Sequence, residues 1–275
     1  MSPIREIVVD AEQPRPRLLD LRELWDYRDL AVMLARRDIS VRYRQTVLGV
    51  GWAVLQPLGM MATFALVLGR LAHVPSDGIP YPLFALAGLL PWQFFSSAVN
   101  AAATSVVNNP NLITKVYFPR LIIPAAALGA PAVDFLVGMG LMAAILVYYG
   151  QLPGIGALLL PVFMALGALT ALGAGCLVAA LTVSYRDFRH VMPFVTTLWM
   201  WSTPIVYPLS LVPAPWRSLL YLNPMTGVVE GLRSAWLGRP IDWSAIAIAA
   251  VVAPAALCVG IYYFRSVERR FADVV

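Results

Sequence analysis

Six apolar blocks follow a polar N-terminal stretch along the chain. They run from Val47 to Leu71, Tyr81 to Val107, Leu121 to Tyr149, Ile155 to Val183, Val191 to Leu211 and Ala245 to Phe264. Each block contains the roughly 20 mainly apolar residues that a helix needs to cross a bilayer. None shows the alternation of apolar and polar positions that is typical of a membrane β-strand. The pattern therefore predicts an all-α membrane protein with six transmembrane helices.

The composition is that of a membrane protein. Of the 275 residues, 60% are hydrophobic and 13% are charged, against about 25% charged in soluble domains. Six spans use most of the chain, so we predict only a cytoplasmic N-terminal segment, residues 1–46, and a transmembrane domain, residues 47–275. The length excludes a fused ATPase.

The positions of the basic residues predict the orientation in the membrane. With six spans and the N-terminus inside, sixteen of the twenty lysines and arginines fall in cytoplasmic segments. Because short basic segments tend to stay in the cytoplasm, both termini are predicted to lie there. The net charge of +5 is explained by this distribution, so we expect no nucleic acid as a partner. The polar, arginine-rich start predicts no cleavable signal peptide.

Three segments outside the spans carry their own patterns. On a helix over 18–37, one side collects apolar residues and the other collects charges. The apolar side holds Leu24, Tyr27, Ala31, Leu34 and Ala35, and the charged side holds Arg22, Asp26, Asp29, Arg36 and Arg37. This predicts an amphipathic helix at the cytoplasmic membrane surface, with packing on the protein itself as the alternative.

Segment 108–120 has two prolines, three asparagines and two cations, and it predicts a short ordered cytoplasmic element with helical turns after Pro110. Segment 210–243 lies on the outer side and is too apolar for a solvated loop. It predicts short broken helices that re-enter the membrane between spans five and six, with their backbone covered by protein.

The sequence contains no pattern typical of a catalytic or metal site. It has no G-x-x-x-x-G-K-[ST], no H-E-x-x-H and no G-x-S-x-G motif, and its two cysteines lie inside apolar blocks. We therefore predict no enzyme activity, no metal and no cofactor on this chain. Asp134 lies in the middle of an apolar block, and we expect it to be a buried hydrogen-bonding group near the outer half of its helix.

Five stretches occur in order over nearly the whole chain. They are RRDISVRYRQTVLGVGWAVLQPL from Arg36, PSDGIPYPLFALAGLLPWQFF from Pro75, NPNLITKVYFPRLIIP from Asn109, YRDFRHVMPF from Tyr185 and NPMTGVVEGLR from Asn223. Together they resemble the permease subunit of ABC exporters for O-antigen and teichoic-acid polymers. The resemblance implies a homodimer in the bacterial cytoplasmic (inner) membrane that binds two copies of a separate ABC ATPase, which holds ATP and magnesium. Its implied substrate is a lipid-linked polysaccharide.

The resemblance also implies roles for particular residues. Coupling to the ATPase is expected at Asn111, Lys115, Tyr117, Phe118, Arg120 and Arg186. Contact with lipid headgroups is expected at Arg36, Arg37, Arg42 and Arg44. The first and fifth spans would form the dimer seam and line the path, with Trp199, Trp201 and Tyr207 of the fifth as glycan contacts. Trp92 and Phe95 of the second block are further candidates from the pattern of aromatic residues alone, although such residues are also common in helix packing and membrane belts. Glu230 and Arg233 are expected to pair at an outer gate, with a solvated surface pair as the alternative.

Other functions fit parts of the same pattern. A drug-efflux ABC permease would share the topology, and the exported polymer could be capsule or teichoic acid instead of O-antigen. A secondary transporter is disfavoured because one intramembrane carboxylate makes no proton relay and no second six-helix half is present.

Overall fold

The computed structural model describes residues 21–44, 49–115, 117–185, 187–268 and 271. Within these ranges the ordered elements are all helical, which confirms the predicted fold class. The helices are α1 (Leu21–Asp26), α2 (Arg28–Arg44), α3 (Gly51–Phe64), α4 (Tyr81–Ser105), α5 (Pro110–Lys115), α6 (Ile122–Ala127), α7 (Gly129–Tyr148), α8 (Leu160–Ser184), α9 (Phe188–Trp201), α10 (Ala214–Tyr221), α11 (Pro224–Leu237) and α12 (Trp243–Val267). A π-helical stretch, Ala65–Leu71, continues α3, and a 3₁₀ turn, Ile155–Leu159, leads into α8.

Five helical stretches are long and apolar enough to cross a membrane. They are Gly51–Leu71, Tyr81–Ser105, Ile122–Tyr148, Ile155–Ser184 and Trp243–Val267. Where the structure describes both ends, these bounds lie within three residues of the predicted blocks. The agreement reflects one physical requirement, which is a run of apolar side chains about 30 Å long.

The continuous fifth helix predicted from Val191 to Leu211 is not found. Helix α9 ends at Trp201 after 14 residues, which is a length of about 21 Å. Pro204 has no N–H to donate, its ring clashes with the carbonyl four residues earlier, and Pro208 follows one turn later. The chain instead turns at 202–208 and forms a single 3₁₀ turn, Leu209–Leu211.

Helix α4 forms the centre of the bundle. In its most apolar stretch 78% of the residues are buried inside the protein, against 11–33% for the other four long helices. It contacts α3, α7, α8, α9 and α11. The remaining long helices therefore keep most of their apolar side chains on the outside, where lipid replaces protein.

Contacts between loops distinguish the two ends of the bundle. At one end, here called the α5 end, Arg37 of α2 donates to Asn109 at 2.8 Å and Arg120 donates to the carbonyl of Glu268, just after α12. At the other end, here called the Asp77 end, Ser210 donates to Asp77 at 2.8 Å. Helix α9 begins at the α5 end and the segment that follows it reaches the Asp77 end.

Candidate functional site

The α5 element, residues 110–120, combines exposed polar groups with one buried ring. Asn111 and Lys115 are exposed, and Tyr117 is 66% exposed. Phe118 is only 5% exposed and packs into a cluster that includes Ile113. The predicted coupling residue Phe118 thus differs from Tyr117, because its side chain anchors the element in the core and presents only a small part of its surface.

Two neighbouring helices hold the α5 element in place. Asn109, just before it, accepts a hydrogen bond from Arg37 of α2 and donates to the carbonyl of Ser105 at 2.8 Å. Arg120, at its end, is bonded to the carbonyl of Glu268. A short element fixed at both ends can pass on a rigid-body displacement, which a flexible loop cannot do.

A groove of about 660 Å³ lies beside this element. Its lining includes Lys115, Tyr117, Arg120, Arg265 and Glu268. The structure thus places Lys115, Tyr117 and Arg120 around one concave surface of mixed charge, which suits a protein partner. Arg186, the sixth predicted coupling residue, lies outside the described residues.

Helix α2 packs its apolar face on the protein itself. Leu34 is buried, and Leu24, Tyr27, Ala31 and Ala35 are partly buried against the same cluster as Phe118. The helix lies on α6 and α7. The apolar side of this helix therefore packs on the protein itself, as the alternative prediction states.

The four arginines expected at lipid headgroups have different surroundings. Arg36 and Arg44 are exposed. Arg37 is bonded to Asp38 and Asn109, and Arg42 forms an ion pair with Asp134 at 2.6 Å. Two of the four side chains are thus engaged within the protein.

Asp134 joins helices α2 and α7. One carboxylate oxygen pairs with Arg42, and the other accepts a hydrogen bond from the Tyr43 hydroxyl. Burial and then this hydrogen bond raise the pKa of Tyr43 to about 12, so the hydroxyl keeps its proton at neutral pH. Asp134 is thus a hydrogen-bonding group, as predicted, and its partners lie on α2.

Most of the predicted glycan-contact rings are packed inside one chain. Trp92 and Phe95 are buried, and with Trp199 they form a cluster of rings whose centroids lie 4.9–6.4 Å apart. Tyr207 is partly buried. Trp201 is 50% exposed and stands edge-on to Phe64 of α3, with ring centroids 6.3 Å apart. Of the five rings, Trp201 is the most exposed.

Helix α3 with the residues that flank it, and helix α9, each expose apolar side chains, and these exposed residues together are here called the α3–α9 face. Within α9 only Met192 and Thr196 are fully buried. The exposed apolar residues of this face are Val50, Trp52, Leu55, Leu66, Val67, Val191, Phe194, Val195, Leu198 and Trp201. The Phe64–Trp201 contact joins the two helices.

Glu230 and Arg233 of α11 form a buried pair at the Asp77 end. Their side chains are 2.7 Å apart, and Arg233 is 4% exposed. The guanidinium also donates to the carbonyls of Pro204 and Ile205, at 3.0 and 2.7 Å, and lies 3.9 Å from the centre of the Phe84 ring. The pair is therefore not the solvated alternative, and it covers the carbonyl groups left free where the chain breaks after α9.

Residues 30–237 match the family model described as ABC-2 type transporter. The chain belongs to this family. Among its relatives is the O-antigen export system permease protein RfbA of Myxococcus xanthus, which is 31% identical over 259 residues, covering 93% of this chain and 98% of the relative. An RfbA of Klebsiella pneumoniae is 26% identical over 90% of this chain and 95% of its own length. The polysialic acid transport protein KpsM of Escherichia coli is 26% identical over 72% of this chain and 78% of its own length.

This ABC-2 type transporter is a multi-pass membrane protein. The sequence does not predict one of its contacts between helices, which is centred on Asn223. The Asn223 side chain caps α11 by accepting from the Met225 amide, and it also accepts from the Trp199 indole at 3.1 Å and donates to Thr203 at 2.9 Å. An Asn-Pro pair at a helix start is a recognisable capping signal. The link to α9 is not recognisable, since the partners lie 20 to 24 residues away.

Proposed function

We propose that this chain is the transmembrane subunit of an ATP-driven exporter that moves a lipid-linked polysaccharide outward across the bacterial cytoplasmic membrane. The observation that carries the proposal is the alignment with O-antigen export permeases over 95–98% of their own lengths. Such coverage leaves only a small part of each relative unmatched. The match to these proteins covers 90–93% of this chain, against 72% for the polysialic acid transport protein, and this longer match favours an O-antigen-like glycan.

The energy for export would come from a separate ABC ATPase that carries ATP and magnesium. The groove beside the α5 element supports this arrangement, because Tyr117 and Lys115 project from an element whose buried Phe118 resists displacement. A rigid element of this kind can transmit the movement of a docked ATPase to the bundle. Two copies of the ATPase would serve a dimer of the permease.

Six crossings, with both termini in the cytoplasm, explain the geometry of α9. The helix starts at the α5 end, and Ser210 beyond it touches Asp77 at the other end. A broken stretch at membrane depth is tolerated where protein covers the backbone, as Arg233 does for the carbonyls of Pro204 and Ile205. The short helices α10 and α11 would then form the re-entrant outer segment.

The α3–α9 face would form the seam between two copies of the chain and border the path of the glycan. This face is apolar and poorly packed within one chain, and the Phe64–Trp201 contact joins its two helices. Trp201 would then be the ring that meets the glycan, whereas Trp92, Phe95 and Trp199 would support it from behind. Arg36 and Arg44 would contact anionic lipid headgroups from the exposed side of α2.

The direct test is ATP turnover of the purified complex in lipid nanodiscs. We expect the permease to co-purify with its ATPase and turnover to rise when a lipid-linked glycan is added. A complex whose turnover responds to hydrophobic drugs and not to the glycan would contradict polysaccharide export.

We expect Tyr117→Ala and Lys115→Glu to weaken ATPase binding by about tenfold or more, because an exposed aromatic ring at a protein interface commonly contributes over about 1.4 kcal/mol. The dissociation constant of the permease and the ATPase in nanodiscs measures the effect. Tyr148→Ala is the matched control, since Tyr148 is an exposed tyrosine at the end of α7, far from the α5 element. If all three variants and the parent bind the ATPase with equal affinity, the α5 element is not its docking surface.

We expect single cysteines on the exposed face of α9 to form covalent dimers on mild oxidation. Phe194→Cys, Leu198→Cys and Trp201→Cys are the test positions, in a chain whose Cys176 and Cys258 are replaced by serine. At least one should come within the roughly 4.4–6.8 Å between Cα atoms that a disulfide requires. Val251→Cys on the exposed side of α12 is the control. Dimers from the control position alone would place the seam elsewhere.

A further inference from the structure

We propose that Asp134 is a positioning residue that latches α2 to α7, so that α2 and the α5 element move together with the third span. The latch itself rests only on contacts within the chain. Its role in transport rests on the proposed function, because that function supplies the movement to be transmitted.

The first support is the geometry of the carboxylate. Two consecutive residues at the end of α2 use different oxygens of Asp134, Arg42 through an ion pair at 2.6 Å and Tyr43 through its hydroxyl. Two contacts fix the rotation of the helix end as well as its distance from α7. The side chains of Asp134 and Arg42 are 22% and 41% exposed, so solvent screens the pair only in part.

The second support lies two turns earlier on α2. A Cβ on Gly129 of α7 would lie only 2.9 Å from the Cβ of Ala35, so the two helices approach this closely because residue 129 is glycine. The same side of the helix buries Leu34. The backbone contact and the ion pair thus hold the C-terminal half of α2 along α7.

The third support connects the latch to the α5 element. Arg37 lies between Ala35 and Arg42 on α2, and its guanidinium donates to the Asn109 side chain at 2.8 Å, directly before α5 begins. A displacement of α5 would therefore act on α2, and Asp134 would pass it to α7. Asp134 is a charged residue in an otherwise apolar block. Loss of its partner therefore costs more free energy than loss of an apolar contact would.

Maleimide labelling of a buried cysteine tests the latch without any transport assay. Leu34→Cys, in the chain with Cys176 and Cys258 replaced by serine, reports whether α2 stays on the third span, since Leu34 packs with Ile122 and Ile123. We expect slow labelling in this parent and about tenfold faster labelling after Asp134→Ala or Arg42→Ala, since local opening becomes less costly. The charge swap R42D/D134R should restore slow labelling. Asp29→Ala is the control. Asp29 is an exposed acidic residue of α2, and its replacement should leave the labelling rate unchanged.

Glycan-stimulated ATP turnover of the same variants tests the positioning role. We expect turnover to fall about tenfold in D134A, to fall no further in R42A/D134A, and to recover in the swap, because both residues act through one contact. If the swap fails to fold, Tyr43→Phe should give an intermediate labelling rate by removing only the hydroxyl.

Slow labelling in D134A would overturn the latch whatever the protein transports. Faster labelling with unchanged turnover, or additive losses in the double variant, would overturn the positioning role. A parent without glycan-dependent turnover would refute the proposed function, while the labelling rates would still decide the latch.

Discussion

Arg233→Leu is expected to lower the free energy of unfolding by about 3–5 kcal/mol, the range found when one partner of a buried ion pair is removed. The change leaves the Glu230 carboxylate buried beside an apolar side chain. It also removes the donors that satisfy the carbonyls of Pro204 and Ile205. The broken stretch after α9 would lose its cover, and export should be lost together with folded protein.

Thermal unfolding of the purified permease in detergent measures this effect. Arg239→Leu is the matched control, because Arg239 lies at the same end, is exposed and bonds only to the carbonyl of Asp77. Its effect should stay below about 1 kcal/mol. The double variant E230L/R233L should recover part of the loss, since it leaves no buried unpaired charge. If the thermal unfolding midpoint of Arg233→Leu equals that of the control, the Arg233 guanidinium does not stabilise the fold.

Gly173→Val is expected to separate α8 from α12 and to destabilise the bundle by about 3 kcal/mol, at the upper end of overpacking effects. A Cβ at residue 173 would lie 2.7 Å from backbone atoms of Ala256 and Leu257. Backbone atoms cannot move aside as the end of a flexible side chain can. Small residues at such crossings let helices approach closely in membranes, where packing replaces the hydrophobic effect as the driving force.

Gly140→Val provides the comparison for this change. Gly140 also lies in a spanning helix, but an added Cβ there would meet no heavy atom within 4 Å. The same substitution thus changes helix propensity equally at both positions and crowds only one of them. Similar unfolding midpoints for the two variants would contradict close packing of α8 and α12 at Gly173.

The five long helices were predictable because the bilayer imposes one simple requirement on length and polarity. The break after α9 was harder to predict, although Pro204 and Pro208 stand in the sequence, because the apolar run continues through both. Hydropathy reports whether a segment can lie in lipid. It does not report whether the hydrogen bonds of a helix persist there.

The residues of the candidate site could be predicted from the sequence. Their burial and their partners could be predicted less well. The spacing of Glu230 and Arg233 predicted a pair, but burial depends on Phe84 and on the broken stretch, which lie far away in the sequence. Periodicity placed Leu34 on an apolar face, yet lipid and protein are equally apolar partners for such a face. The partners of Asp134 on α2 lie about 90 residues away, beyond the reach of any local pattern.

As the proposed sixth crossing, the short α9 helix would make the protein sensitive to the thickness of its bilayer. At about 21 Å it cannot match a hydrocarbon core of about 30 Å, whereas the five long helices can. Lipid around such a crossing would have to compress, or the helix would have to sit to one side of the midplane, at a cost of fractions of a kcal/mol per Å of mismatch. Membrane thickness would thus act more strongly on α9 than on the five long helices.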